Sequence, residues 1–146
     1  MSWQSSTNGG YVSARLRSNM KPKIIIADDN EIILATLVSV LSLEFEVVAT
    51  AVDGRSALDH IERLQPHVAV LDLNMPNLNG IEITRELARQ HLTCVVVICS
   101  VENDPELIAA AQGAGALGYV IKRRLKRDLV PAVKSAASGA PFFSAC

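Results

Sequence analysis

Apolar runs of strand length alternate with segments of helical period along most of the chain. Four of the five runs are dense in valine and isoleucine and lack polar alternation, which is typical of strands buried on both faces. The five runs lie at 23–27, 45–51, 67–73, 94–100 and 116–121. The segments of helical period lie at 31–43, 55–65, 79–90, 105–113 and about 128–138.

This alternation predicts the fold class. A strand, a helix and a second parallel strand form a right-handed crossover that lays the helix against one face of the sheet. Five such units predict an α/β protein, a doubly wound (βα)5 three-layer sandwich with a central five-stranded parallel sheet. At 146 residues the chain has room for one domain of this kind.

Composition and charge narrow the function. The formal net charge of −1 argues against a surface that binds nucleic acid over its whole extent. No apolar run reaches the roughly 18 residues of a membrane span, and residues 1–19 lack a signal-peptide core, so we expect a cytoplasmic protein that does not enter a membrane. Residues 1–19 are polar, which predicts a disordered leader, a cloning remnant or sequence upstream of a true start at Met20, followed by one domain over 20–146.

Polar side chains stand where four of the predicted strands end. Asp28 and Asp29 follow the first strand, Asp72 ends the third, Ser100 the fourth and Lys122 the fifth. In an open α/β sheet these ends share one edge, where ligands bind. Neighbouring carboxylates repel unless a cation joins them, and hard oxygen ligands suit Mg²⁺. A carboxylate can also accept a phosphoryl group as a nucleophile, while an ammonium and a hydroxyl hold the phosphoryl oxygens.

Each of these residues also has an ordinary structural explanation. Asp29 or Asn30 fits the N-cap of the next helix, and Asp72 fits a turn. Ser100 and Lys122 fit a polar strand end and a solvated charge. If these explanations were correct, four unrelated polar residues would lie at the same edge of the sheet by coincidence. We therefore expect a single site at that edge for phosphoryl transfer and Mg²⁺.

Four motifs resemble the receiver domain of two-component response regulators. They are "IIIADDN" (24–30), "VLDLNMPNLNG" (70–80), "VICS" (97–100) and "GALGYVIK" (115–122). They match that family in residue type, order and spacing, and the resemblance runs from about residue 20 to residue 139. It implies a flavodoxin-like fold with the sheet order 2-1-3-4-5.

The resemblance also implies roles for the acidic residues. Asp72 is the implied phospho-acceptor, which takes its phosphoryl group from a histidine kinase or a phosphotransfer protein. Asp28, Asp29 and Asp72 are the implied Mg²⁺ ligands, joined by the backbone carbonyl of Asn74. The protein is then a signalling phospho-acceptor and not an enzyme, apart from self-catalysed phosphotransfer and autodephosphorylation.

Three more residues are implied to form the switch. Ser100 and Lys122 hold the phosphoryl oxygens, and Tyr119 fills the space vacated when Ser100 is drawn inward. The face formed by the fourth helix, the fifth strand and the fifth helix then changes, which controls formation of a homodimer. Val101 and Glu102 are the predicted modulators, and the bulk of Val101 is expected to slow the access of small donors and water to the site.

The motif "GALGYVIK" with "SGAPFFS" (138–144) resembles the NarL/FixJ subfamily, in which a similar segment leads to a helix-turn-helix domain that binds DNA. This sequence does not include such a domain, so we expect either a receiver from a longer transcription regulator or a naturally short protein. The alternatives are a stand-alone interaction module and, less favoured, a haloacid-dehalogenase-like phosphatase. The phosphatase motif D-x-D ends the first strand, where this chain has adjacent Asp28 and Asp29.

The segment after Lys122 departs from the family pattern. Arg123 stands where the family often has a proline with a cis bond, so we expect a different loop path or a strained peptide. The basic run "KRRLKRD" (122–128) is predicted to be a solvated loop, with a partner or nucleic-acid patch as the alternative. Asp128 is the predicted N-cap of the last helix, with Pro131 in its first turn.

Overall fold

The computed structural model describes residues 21–144, so the predicted leader over 1–19 lies outside the described residues. The strands are β1 (Lys23–Ala27), β2 (Glu46–Ala51), β3 (Val68–Asp72), β4 (Val95–Ser100), β5 (Gly118–Ile121) and β6 (Phe142–Phe143). The helices are α1 (Glu31–Leu41), α2 (Gly54–Leu64), α3 (Gly80–Arg89), α4 (Pro105–Ala114), a 3₁₀ helix (Lys122–Arg124) and α5 (Leu125–Ala137). Within residues 21–144, no helix is long and apolar enough to cross a membrane.

The strands form one parallel sheet in the order β2-β1-β3-β4-β5-β6. The flavodoxin-like α/β fold and the predicted order of the first five strands are confirmed. The expectation of five strands missed β6, which adds a sixth strand beside β5. A two-residue strand is too short for periodicity to reveal, because the alternation of apolar and polar positions needs about four residues to be recognised.

Two apolar layers cover the faces of the sheet. One lies under α2, α3 and α4 and the other under α1 and α5. Neighbouring residues of β1 alternate between the layers, since Ile25 belongs to the first and Ile24 and Ile26 to the second. All three side chains are fully buried, which explains why the central strands are continuously apolar.

The N-cap of α1 is Asn30, so the side chains of Asp28 and Asp29 do not cap this helix. The side chain of Asn30 accepts hydrogen bonds from the N–H groups of Ile32 and Ile33, so Asn30 is the N-cap and Asp29 is not. This choice settles the two capping alternatives that the sequence left open.

The start of α5 differs from the prediction. The basic run forms the 3₁₀ helix and the first turn of α5, so it is not a solvated loop throughout. Leu125 and Leu129 are both buried, and their spacing of four residues puts them on one helix face, which favours an earlier start. Asp128 therefore lies inside the first turn and is not the N-cap, and Pro131 lies beyond that turn, inside the helix.

The loop path after Lys122 also differs from the one typical of a cis proline. The peptide bonds of residues 21–144 include no cis bond. Arg123 instead lies within the short 3₁₀ helix, which directs the chain into α5. This is the different loop path expected from the replacement of proline by arginine.

Candidate functional site

Three carboxylates meet at the carboxyl ends of β1 and β3. Asp28, Asp29 and Asp72 each offer one oxygen, and these atoms all lie within 4.8 Å of one another. Asp28 and Asp72 are buried, whereas Asp29 is exposed. The cluster is therefore open to solvent on one side and enclosed by the sheet on the other.

The two carboxylate oxygens of Asp28 have different partners. Its Oδ1 accepts a hydrogen bond from the N–H of Asn30 at 2.9 Å. Its Oδ2 forms an ion pair with Nζ of Lys122 at 2.6 Å and has no other partner among the described residues. A carboxylate oxygen can accept from more than one partner, so this buried oxygen can bind a further cation beside Lys122.

Asp72 lies in a less favourable environment for a negative charge. Burial raises the pKa of its carboxyl group to about 6, and the negative charge of Asp28 adds to this effect. Lys122 opposes it from 3.4 Å, and the N–H of Asn74 opposes it weakly at the same distance. Asp72 is therefore a carboxylate with incomplete compensation, at the position where β3 ends.

This raised pKa predicts how the stability of the metal-free protein depends on pH. The folded protein holds the Asp72 proton more tightly than the unfolded chain, whose carboxyl group has a pKa of 3.8. The stabilisation is therefore complete below pH 3.8 and is lost as the pH rises through about 6. Asp72→Asn carries no such charge, so it should be more stable than the parent above pH 7 by on the order of 2 kcal/mol.

Urea unfolding with a chelator present, followed between pH 4 and pH 8, measures this difference. The stability advantage of Asp72→Asn should grow with pH. Asp59→Asn provides the control, since it makes the same chemical change at an exposed position outside the carboxylate cluster. A constant difference between Asp72→Asn and the parent would show that the Asp72 carboxylate is not destabilised by its surroundings.

The serine at the end of β4 is linked to the tyrosine of β5 through one residue. Oγ of Ser100 accepts a hydrogen bond from the N–H of Glu102 at 3.0 Å. The hydroxyl of Tyr119 donates to the carbonyl of Glu102 at 3.0 Å. Ser100 and Tyr119 are both fully buried, whereas Val101, which follows Ser100 in the chain, is 65% exposed.

This arrangement describes the two residues of the predicted switch in the unmodified protein. The predicted switch has Tyr119 enter a space that opens when Ser100 moves inward. Both side chains are already inside, and the ring of Tyr119 is held by its hydroxyl hydrogen bond. Sequence could not reveal this, because the burial of a tyrosine beside an edge depends on what covers it.

The loop after Asp72 is fixed by a contact that the sequence pattern does not predict. The N–H of Gly54 donates to the carbonyl of Pro76 at 3.0 Å. A Cβ atom at Gly54 would lie 1.9 Å from the carbonyl oxygen of Leu78, which leaves no room for any side chain. The start of α2 therefore positions the loop that carries Asn74. A glycine directly after the N-cap residue Asp53 was the available signal, but helix starts often contain glycine.

Gly54→Ala should destabilise the protein by on the order of 3 kcal/mol, because the new methyl group overlaps backbone atoms that have no room to move. It should also weaken the binding of a divalent cation at the carboxylate cluster, because it displaces the loop that carries Asn74. Gly113→Ala is the matched control, since a Cβ atom there meets no atom within 4 Å and lies in α4. The control should stabilise the protein by about 0.5–1 kcal/mol. Equal effects of the two substitutions in urea unfolding would contradict this account of Gly54.

The donor set of the cluster fits a divalent cation. Carboxylate oxygens are hard ligands, and three of them lie close enough to share one ion. Oδ2 of Asp28 supports the same conclusion, since it is fully buried and its one partner among the described residues is the ammonium group of Lys122. The cluster can therefore hold a metal ion at the edge of the sheet.

The chain belongs to the response regulator receiver domain family, whose model matches residues 24–134. The resemblance described from the four motifs is thereby confirmed. The members of this family are signalling response regulators, and the structural neighbours share the parallel sheet with flanking helices.

Particular relatives narrow the class further. The transcriptional regulatory protein DegU of Brevibacillus brevis is 34% identical over 124 residues, which cover 84% of this chain and 52% of that protein. The nitrate/nitrite response regulator protein NarL of Escherichia coli K12 is 34% identical over 125 residues, covering 84% and 58%. This chain thus spans about half the length of the curated relatives it matches. The NarL/FixJ-like character predicted from the sequence is confirmed.

Solved structures agree with this assignment. The signal receiver domain of the response regulator NarL from Mycobacterium tuberculosis superposes with a TM-score of 0.80 at 30% identity, covering 82% of this chain and 98% of that one. A LuxR-family two-component response regulator from Aurantimonas sp. SI85-9A1 superposes with a TM-score of 0.81 at 27% identity, covering 85% and 90%.

Proposed function

We propose that the protein accepts a phosphoryl group on Asp72 in a reaction that depends on Mg²⁺, and that this modification switches a surface of the domain. One observation carries the proposal: the buried carboxylate of Asp72 lies beside Asp28 and Asp29 and 3.4 Å from the ammonium group of Lys122. A nucleophile, a metal-binding pair and a cation for phosphoryl oxygens are the parts that phosphoryl transfer needs.

The proposed reaction uses the chain's own residues as follows. An oxygen of the Asp72 carboxylate forms a bond to phosphorus, and the bond from phosphorus to the donor's leaving group breaks with its electron pair. Asp28, Asp29, Asp72 and the backbone carbonyl of Asn74 would hold Mg²⁺, which supplies neutralisation of the phosphoryl charge when bound. Lys122 can shift from its contact with Asp28 toward the phosphoryl oxygens.

The switch follows from the link between Ser100 and Tyr119. A phosphoryl oxygen is a stronger acceptor than a neutral group, so it would attract the hydroxyl of Ser100. Ser100 and Tyr119 both contact Glu102, so a change at Ser100 reaches the α4–β5–α5 face through that residue. We propose that this change controls formation of a homodimer.

The relatives support a proposal for the partners of the whole protein. The donor would be a sensor histidine kinase or a phosphotransfer protein. The names of the relatives DegU and NarL describe a transcriptional regulator and a nitrate/nitrite response regulator. We therefore propose that this receiver controls DNA binding through a separate output domain. A cytoplasmic location and the lack of enzymatic turnover stay predictions.

Val101 is proposed to slow access to Asp72. It directly follows Ser100, which ends β4 beside β3, and it is exposed. Val101→Ala should therefore speed both labelling by acetyl phosphate and loss of the label by a factor of several. Val52→Ala is the control, because Val52 is an exposed valine that follows β2, two strands away from β3. If Val101→Ala leaves the rates of labelling and of label loss unchanged, Val101 does not limit access to Asp72.

A single experiment separates the proposal from the phosphatase alternative. The protein is incubated with acetyl phosphate and Mg²⁺, and its intact mass is followed with time. A receiver should gain one phosphoryl group and lose it slowly, and it should release no phosphate from p-nitrophenyl phosphate. Repeated turnover of that ester without a stable label would instead favour the phosphatase.

A further inference from the structure

The sixth strand covers the residue proposed to report phosphorylation. Without β6, β5 would be the edge of the sheet, and a side chain on β5 would border solvent. The register of the parallel pair sets Phe143 beside Tyr119. Partners in register point to the same face, and Phe143 packs against the apolar layer that contains Tyr119. This coverage accounts for a tyrosine hydroxyphenyl group that is fully buried next to an edge strand.

The residue after β6, Ser144, is anchored to β5 by several hydrogen bonds. The N–H and the hydroxyl of Ser144 both donate to the carbonyl of Tyr119, at 2.9 and 3.2 Å. Oγ of Ser144 also accepts from the N–H of Ile121 at 3.2 Å. The guanidinium group of Arg124 donates to the carbonyl of Ser144 at 2.9 Å. Ser144 is therefore tied to β5 and to the 3₁₀ helix that begins with Lys122.

The other end of the segment is fixed as well. Oγ of Ser135 in α5 donates to the carbonyls of Ala140 and Pro141. The carbonyl oxygen of Phe142 would lie 3.3 Å from a Cβ atom at Gly118, so the absence of a side chain there allows β6 to approach closely. The strand is thus held along its whole length by contacts of the described residues.

We propose that residues 140–144 form a clamp in which Phe143 is a positioning residue for Tyr119. The clamp closes the route by which the ring would leave the protein past β5. Tyr119 is then fixed at two points, by the hydrogen bond of its hydroxyl to Glu102 and by the strand beside its backbone. The inward position is consequently occupied before any phosphoryl group is present, and release of the clamp is required for the ring to move outward.

The clamp also connects the proposed phosphorylation site to the chain beyond Ser144. Lys122 contacts Asp28 and Asp72, and Arg124 in the same 3₁₀ helix contacts Ser144. A shift of Lys122 toward a phosphoryl group would move this short helix and alter the hold on Ser144. This second consequence rests on the proposed function, whereas the position of Tyr119 in the unmodified protein does not.

The ring environment of Tyr119 tests the clamp without any phosphoryl donor. The full chain contains two tyrosines, so Tyr11→Phe leaves one site for 3-fluorotyrosine. The fluorine shift is measured in H₂O and in D₂O, and its change is compared with that of free 3-fluorotyrosine. The parent should show a small fraction of the free value. Phe143→Ala should raise it toward the free value, whereas Phe143→Leu, which keeps an apolar cover, should not.

Arg124→Ala is a second variant that tests the clamp if Phe143→Ala does not fold. It weakens the anchor of Ser144 without changing Phe143, so it should also raise the solvent effect. Arg123→Ala is its control, since the Arg123 side chain is exposed and makes no hydrogen bond within residues 21–144. A solvent effect as low as the parent's in both Phe143→Ala and Arg124→Ala, with circular dichroism showing folded protein, would overturn the clamp.

A separate readout keeps this result distinct from the proposed function. Failure of Asp72 to take a label from acetyl phosphate would overturn the phosphorylation proposal and leave the fluorine result standing. Conversely, normal labelling of Asp72, together with a parent-like solvent effect on the fluorine shift in Phe143→Ala and Arg124→Ala, would overturn the clamp alone.

Discussion

Asp72→Asn should take up no label from acetyl phosphate. The amide has nearly the shape of the carboxylate but is a far weaker nucleophile, so the bond to phosphorus should not form. The site around it would keep its other charged groups, since Lys122 also contacts Asp28. Intact mass at a series of times gives the initial labelling rate for the parent and the variant. This is the largest effect that the proposed chemistry predicts.

The matched control is Asp59→Asn, which makes the same chemical change at an exposed position of α2. It should be labelled at the parent's rate. Asp72→Asn should also be at least as stable as the parent near neutral pH, so loss of labelling cannot reflect unfolding. Persistent labelling of Asp72→Asn at the parent's rate would show that another residue accepts the phosphoryl group.

Asp28→Asn should lower the affinity for Mg²⁺ by at least about tenfold. The substitution removes one of the three clustered charges and replaces the oxygen that faces only Lys122 with a neutral group. Isothermal titration with MgCl₂ measures the affinity, and labelling by acetyl phosphate at a fixed low Mg²⁺ concentration gives an independent value. Raising the Mg²⁺ concentration should partly restore labelling.

Glu31→Gln is the control for this substitution. Glu31 is an exposed acid at the start of α1, close in sequence to the pair but outside the carboxylate cluster. Its loss should change the affinity for Mg²⁺ far less than the loss of Asp28. Equal losses in the two variants would mean that the cation responds to overall negative charge and is not ligated by Asp28.

The sequence predicted the parts of the fold that depend on periodicity. Continuous burial of residues such as Ile25 on β1 produces the apolar runs, and the helices between them follow from their own period. The edge where Asp28, Asp72 and Lys122 meet follows from the rule that parallel strands end together. The roles of these residues came from the resemblance to receivers and are still proposals.

The parts that the sequence missed depend on contacts between distant segments. Tyr119 is buried because β6 covers the edge of the sheet, 24 positions further along the chain at Phe143. The constraint at Gly54 comes from the backbone of Leu78, which no local pattern reveals. The early start of α5 arises from burial of Leu125, because tertiary packing outweighs the polar character of the basic run around it.

The most direct test of the central claim is to find which residue carries the phosphoryl group in the protein without any substitution. The protein is incubated with acetyl phosphate, with Mg²⁺ or with a chelator, and the label is mapped by peptide mass spectrometry under acidic conditions. The account predicts one label, on the peptide that contains Asp72, formed with Mg²⁺ and absent with the chelator. A label on another peptide, or none with Mg²⁺ present, would contradict it.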